Sequence, residues 1–382
     1  VIWAAGFVAI LWLGFALLDR RWRIEPRLGE PDGAEASQRV MAVVPARNEA
    51  EALPNTLVAL LNQDHPTLSV VLVDDHSDDG TGEVARRIAG HVGAAARLIV
   101  IAPPPLAAGW TGKVWAQHHG VEHALRERPD WIWLTDADIR HDGDVLSRLL
   151  ATASKEGRDL VSVMARLRCH TAWERLLVPA FTYFFAALYP FASVRDDASR
   201  RAGAAGGCML VRREVLERIG GMAAIRDAVI DDVSFGRACK GAGARLWLGY
   251  HPGVTSVRGY ETLGSIWDMV ARSAYTQLGY SPLALVGCVL GLTLLFLVPP
   301  VALLFGSAPV RVLGAVAYGG MVRTVAPMVR YLGAGFLWAF TLPLAAAFYA
   351  GMTISSAWRH HAGAGAVWKG RAYRGGDSGA GT

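Results

Sequence analysis

Hydrophobic and polar positions divide the chain into apolar ends and a patterned middle. Residues 1–18 carry no charge, and Asp19, Arg20, Arg21 and Arg23 follow at once. As a helix rising 1.5 Å per residue, such a run reaches roughly 27 Å, just enough to span a hydrocarbon core. Basic residues after the run, rather than before it, fit a signal anchor with its N-terminus outside. Residues 282–310 and 331–358 are again free of charge, and each is long enough to span. The stretch between them carries Arg311, Arg323 and Arg330 and reads as a short further span or as an interfacial hairpin. Counting it gives four hydrophobic segments. Gly287 and Gly291 stand at GxxxG spacing, read as ordinary transmembrane glycine rather than a packing seam. Basic residues place both the middle of the chain and the tail (Arg359, Lys369, Arg371, Arg374) in the cytoplasm. Those two placements need an odd number of spans, so three versus four spans, and the side of the tail, stay open. Residues 375–382 read as a disordered end.

Between the apolar ends the pattern becomes that of an α/β domain. Short apolar runs at 40–44, 69–73, 98–101, 131–134 and 160–164 predict strands, the first ended by Pro45. Helical spacing occupies 49–61, 81–88, 113–125 and 144–153. Strands alternating with helices predict a parallel sheet covered on both faces. Ligands of such sheets bind beyond the carboxyl ends of the strands. The expected organisation is an anchor at 1–18, a basic linker at 19–38, the α/β domain at 39–260, an interfacial helix at 261–281, transmembrane helices at 282–358 and a tail at 359–382.

The expected strand ends are acidic. Asp74-Asp75 follows the second strand, and Asp136-Ala137-Asp138 follows the fourth. One such cluster is an ordinary cap or turn. Two clusters at one sheet edge repel, and a divalent cation offsets that repulsion. Carboxylate ligands suit Mg²⁺ or Mn²⁺, not zinc, and a metal held by one or two of them normally shares a substrate phosphate. The residues therefore point to a metal–diphosphate site on a nucleotide-binding sheet.

Composition sharpens this picture. The chain has 382 residues, 52% of them hydrophobic and only 19% charged, which excludes dominant disorder. Its 38 basic and 33 acidic residues leave a net charge of +5. The arginines are dispersed, without the dense aromatic-interleaved block of a nucleic-acid binder. Cys169, Cys208, Cys239 and Cys288 form no CxxC pair and read as reduced filler.

Particular residues resemble a known family. Val43-Val44-Pro45-Ala46-Arg47-Asn48-Glu49, Val73-Asp74-Asp75-His76-Ser77-Asp78-Asp79-Gly80-Thr81, Gly112-Lys113 and Asp136-Ala137-Asp138 resemble family 2 glycosyltransferases in order and spacing. Gly206-Gly207-Cys208-Met209-Leu210 and Asp231-Asp232 resemble the acceptor-side half of that domain. With the run 271–277 and the flanking spans, the whole chain looks like the hopene-associated glycosyltransferases of bacterial hopanoid gene sets. The resemblance implies a GT-A (Rossmann-like, mainly parallel) catalytic domain with flanking transmembrane helices. It implies a nucleotide-sugar donor, expected as UDP-linked, a divalent cation (Mg²⁺ or Mn²⁺) and a lipid-type acceptor. It implies residence in the bacterial inner membrane, with a cytoplasmic catalytic domain. Pro45, Ala46, Arg47 and Glu49 would line the nucleoside pocket. Asp74 and Asp75 would meet nucleobase and ribose, in either order. Lys113 would approach the sugar diphosphate, Asp136 the ribose or the metal's shell, and Asp138 the metal itself. Asp232 would be the general base of an inverting displacement, because an alcohol is a weak nucleophile at neutral pH. Asp231 replaces the family's glutamate, which leaves its role open.

One departure is informative. Polymerising members carry QxxRW, and the matching window, Met269-Val270-Ala271-Arg272-Ser273, keeps only the arginine. This argues against processive synthesis. Arg272 reads equally as a diphosphate contact or as an interfacial arginine snorkelling to headgroups. His119 and His123 stand in an HxxEH pattern, read as a solvated helix face rather than a zinc site. Gly109–Lys113 fails as a P-loop, for want of the upstream glycine and the following Ser/Thr. Residues 176–194 lack charge and hold Phe181, Tyr183, Phe184, Phe185, Tyr189 and Phe191. They read as a buried or interfacial helix, or as an aromatic face guiding a lipid acceptor. A crossing there would separate Asp138 from Asp232. Three functions follow: a non-processive transferase to a lipid-type hydroxyl, a polyprenyl-phosphate glycosyltransferase, and a non-catalytic nucleotide-sugar-binding membrane scaffold. A transporter is disfavoured, since the spans hold no acidic residue. Oligomeric state is not written in the sequence.

Overall fold

The computed structural model describes residues 2–31, 33, 37–363, 367–368 and 371–372. The tail at 375–382 lies outside them. Contacts divide the chain into two compact units. One gathers Val1–Ile24, Arg168–Pro190 and Gly259–Ala366, and the other gathers Glu25–Leu167, Phe191–Arg258 and Val367–Thr382. The 168–190 segment thus clusters with the apolar ends, interrupting the continuous 39–260 domain expected from the sequence.

The second unit is built on one eight-stranded sheet. Its strands are β1 (Val40–Ala46), β2 (Leu68–Asp74), β3 (Leu98–Ile101), β4 (Trp131–Thr135), β5 (Ile139–His141), β6 (Leu160–Arg166), β7 (Cys208–Arg212) and β8 (Leu246–Ser256). Their order is β3-β2-β1-β4-β7-β6-β8-β5. The pairs β1–β2, β2–β3, β1–β4 and β6–β8 are parallel. β7 runs antiparallel to β4 and β6, and β5 antiparallel to β8. The sheet is therefore mixed and mostly parallel, as the family resemblance implied. Val43, Val71, Val73, Ile132 and Leu134 are fully buried, as strands covered on both faces require.

Pro45 does not end β1. Its pairing with β2 continues to Ala46↔Asp74, while pairing with β4 stops at Val43↔Leu134. Ala46 turns its carbonyl toward β2, where the Asp75 N–H donates to it at 2.8 Å. Pro45 therefore faces the side where the ladder has already finished, and its missing N–H costs nothing. The helix Gly112–Arg126 lies directly on β1 and β2. A Cβ at Gly120 would fall inside the van der Waals radii of Val43 and Val73, so only glycine permits this approach.

The first unit is helical. Its apolar helices are Ile2–Leu18, Pro282–Phe305, Ala308–Tyr331 and Phe336–His361. The last three are long and apolar enough to cross a membrane, and Ile2–Leu18 is shorter, at 17 residues. The weaker stretch is thus one continuous helix despite Arg311 and Arg323. It stops at Tyr331, and Gly333 and Gly335 at φ 75° and 89° delay the next helix beyond the expected start at 331. A Cβ at Gly287 or Gly291 would meet nothing within 4 Å.

Within Pro282–Phe305 a π-helical turn spans Thr293–Leu297. The Leu295 carbonyl would accept from residue 299 in an α-helix or 300 in a π-helix, and both are proline. Trp12 supplies the missing donor, its Nε1–H reaching that carbonyl at 2.8 Å. The helix Ala172–Leu188 belongs to the same unit. Phe184 stands edge-on to Phe296 and Tyr349, at 5.5 and 5.2 Å, and Tyr183 hydrogen-bonds Thr324 at 2.9 Å. The expected 176–194 helix breaks at Pro190, with Phe191–Arg195 forming a separate turn.

Candidate active site

The carboxyl edge of the sheet collects charged side chains from six loops. After β1 and β2, two loops interlock. The Asn48 N–H donates to Ser77 Oγ at 3.0 Å, the Glu49 N–H to Thr81 Oγ1 at 2.9 Å, and the Ala50 N–H to Asp79 Oδ2 at 3.0 Å. Arg47 Nη1 donates to the carbonyls of Asp75 and His76 at 2.5 and 3.2 Å. Asp74 Oδ1 accepts from the Ser77 N–H at 3.1 Å, so this acid shapes its own turn. Asp75 is fully buried. Pro45, Ala46, Arg47, Glu49, Asp74 and Asp75 thus stand together on the two loop ends where they were expected.

A tighter ionic cluster forms beside them. Lys113, in the first turn of Gly112–Arg126, lies 2.9 Å from Asp136 Oδ1 and 3.0 Å from Asp231 Oδ2. Asp136 directly follows β4, and Asp231 and Asp232 open the helix Asp231–Gly241, where carboxylates meet the positive end of the helix dipole. Asp232 Oδ2 accepts from the Gly206 N–H at 3.0 Å and Oδ1 from the Val233 N–H at 2.7 Å. Gly206 precedes β7, whose reversed direction brings its start to this edge. A Cβ at Gly206 would lie 3.3 Å from both Asp232 Cβ and Lys113 Nζ. Lys113 thus links Asp136 to Asp231, the neighbour of Asp232, and the charge of Asp138 acts on Asp136 from the other side.

Burial sets the electrostatics. It pushes the Asp136 carboxyl up to about 6, with Lys113 opposing and Asp138 reinforcing the rise. Burial, helped by the neighbouring Asp231, likewise pushes Asp232 up to about 6. Burial pulls Lys113 down, but Asp136 and Asp231 outweigh it and hold the ammonium above its usual range, so it stays charged.

Asp138 departs from expectation in its partner. Arg258, two residues past β8, brings Nε to 2.5 Å from Asp138 Oδ2 and Nη2 to 2.7 Å from Glu49 Oε1. Sequence reasoning missed Arg258. Its only signal was a position after a strand that Pro252 and Gly253 disguise as a turn. Arg272, by contrast, is an exposed residue capping the helix Leu263–Ala271 in the other unit.

The residues fit a divalent cation only in part. Asp136 Oδ1 is buried and takes no aligned hydrogen bond, its contact with Lys113 being ionic. Among the described residues no group of three or more His, Cys, Asp or Glu is placed to hold a metal. Asp136 and Asp138 thus suit a cation completed by phosphate oxygens, not a protein cage. His119 stands edge-on to Trp115 at 4.3 Å.

A mostly parallel sheet with charged side chains gathered at its carboxyl edge is the architecture of a GT-A glycosyltransferase. Residues 37–276 match the family model described as "Glycosyltransferase like family 2", and the chain belongs to glycosyltransferase family 2. The 4,4'-diaponeurosporenoate glycosyltransferase of Staphylococcus haemolyticus (strain JCSC1435) is 24% identical over 165 residues, 43% of this chain and 41% of that protein. The chain therefore spans under half the length of this relative. The polyprenol monophosphomannose synthase of Mycolicibacterium smegmatis is 28% identical over 194 residues, 50% of this chain and 68% of that protein. The solved structure of the mannosyltransferase PcManGT from Pyrobaculum calidifontis, in complex with GDP-Man and Mn²⁺, aligns with TM-score 0.54 and 19% identity, covering 94% of this chain and 99% of that one. That likeness concerns the fold.

Proposed function

We propose that the chain is a membrane-bound, inverting, non-processive glycosyltransferase. It moves a sugar from a nucleotide diphosphate to the hydroxyl of a lipid-type acceptor at the cytoplasmic face of a bacterial inner membrane. The reading rests above all on Asp232, a half-buried carboxylate anchored by two backbone N–H groups beside Lys113. Fixed orientation and a raised pKa suit it to take a proton from an attacking alcohol. Lys113 lies where a departing diphosphate needs positive charge. Asp138 and Asp136 would hold the divalent cation, which when bound offsets charge on the leaving group. Pro45, Ala46, Arg47, Glu49, Asp74 and Asp75 would form the nucleoside pocket, with UDP as the expected nucleotide.

Both relatives carry names of lipid-linked chemistry, which supports a lipid acceptor, and the resemblance to hopene-associated enzymes suggests a hopanoid-related one. The M. smegmatis relative favours a second reading, transfer to a polyprenyl phosphate. A phosphate oxygen is already ionised at neutral pH and needs no base. Asp232→Asn therefore separates the two. Under the leading reading it keeps donor binding and loses transfer at least 100-fold, while under the second transfer persists. The assay is a donor and acceptor panel with Mg²⁺ or Mn²⁺, read by released nucleotide diphosphate. Donor binding with no turnover on any acceptor would leave a nucleotide-sugar-binding scaffold.

A further inference from the structure

Each acid expected to meet a cation already has one from the chain itself. Lys113 sits on Asp136, and Arg258 bridges Asp138 and Glu49. The bridge is built into the fold. Val257 donates its N–H to the Asp138 carbonyl at 2.9 Å, fixing the strand that delivers Arg258. The guanidinium fork then spans the loops after β1 and β4, using separate nitrogens for separate carboxylates. Its side chain is 34% exposed, so its head group stands at the solvent side of the cluster.

We propose, building on the metal-assisted transfer inferred above, that Arg258 is an internal counter-ion for Asp138 in the donor-free protein, and that a divalent cation must displace it. Asp138 would hold Mg²⁺ or Mn²⁺ through its carboxylate oxygens, the donors these cations favour. A guanidinium nitrogen on the same oxygen then faces a doubly charged neighbour and leaves. Once released, its planar donors match a phosphate oxygen pair at the same edge. Metal alone must displace the Arg258–Asp138 contact. Metal with a diphosphate gives the freed guanidinium a new partner. Arg258 thus makes cation binding depend on the nucleotide, and the dependence is reciprocal. It acts on Asp138 in the donor-free protein and on the diphosphate once donor is bound.

The test uses the full chain in detergent, titrated with Mn²⁺ alone and then with Mn²⁺ in the presence of UDP. Free Mn²⁺ is read by electron paramagnetic resonance. Arg258→Gln should bind Mn²⁺ alone at least tenfold more tightly than the unaltered protein. The enhancement given by UDP should shrink at least fivefold. Arg258→Lys keeps the charge and most of the stem, and serves if the Gln variant does not fold. Its ammonium cannot span both carboxylates, so Mn²⁺ alone again binds more tightly. Equal or weaker Mn²⁺ binding by the folded variant overturns the proposal, as does an unchanged UDP enhancement or no Mn²⁺ binding by any of these proteins. Absence of transfer in the donor panel would instead fail the transferase reading while leaving this binding comparison standing.

Discussion

Asp232 ties its pH behaviour to where it sits. The working base is the carboxylate, and burial with Asp231 raises its pKa to about 6. A raised pKa means that base is lost as pH falls through that value and is fully present well above it. Transfer rate under saturating donor should therefore climb through pH 6 and flatten by about pH 7, against an ordinary aspartate near 3.9. A rate already flat at pH 5 would contradict this. Gly206 gives a second test at the same spot. Gly206→Ala places a methyl 3.3 Å from Asp232 Cβ and Lys113 Nζ, tighter than ordinary packing. Turnover should fall roughly tenfold, since displacements of this size matter at a reacting centre, with little change in thermal midpoint. Lys113 and Asp232 were marked only by the family resemblance, whereas Asp138 was legible as an acid after an apolar strand. The pairing of Lys113 with Asp231 was not, since only the closed sheet brings those loops together.

Single elements show why some of the fold was readable. β3 matches its expected bounds, and β1, β2, β4 and β6 only extend theirs, because each is a short apolar run between helices. The direction of β7 was not readable, since hydrophobicity is the same whichever way a strand runs. β8 was hidden by Gly249, Pro252 and Gly253, and its register shifts between Met164 and Arg166, as a bulge does. The aromatic helix Ala172–Leu188 was legible as apolar but not by partner. Phe184 is half-buried and stands edge-on to Phe296 and Tyr349 within the helical unit. Phe184→Ser should destabilise that helical unit by about 2–3 kcal/mol, seen as a lower melting point in detergent with the acceptor preference unchanged.

At the scale of the whole molecule, the chain passes repeatedly between its two units, and a linear reading of domains could not follow it. The apolar runs themselves were plain, because a stretch without charge needs no tertiary context. Helices at Pro282–Phe305, Ala308–Tyr331 and Phe336–His361 should keep the protein in the membrane pellet through an alkaline carbonate wash. Release into the supernatant would oppose the transmembrane reading. The parity of crossings was not legible, because arginines at both ends of Ala308–Tyr331 give no net sidedness.

The indole of Trp12 has a consequence for how the N-terminal helix can be treated by an experimenter. Swapping that helix for a generic hydrophobic leader would deprive the Leu295 oxygen of its donor, and hydrocarbon offers no replacement. Trp12→Phe alone should cost about 1–3 kcal/mol. A chain trimmed to begin beyond Leu18 should come out of the cell as insoluble material, even though every residue of the ionic cluster at the sheet edge is still present.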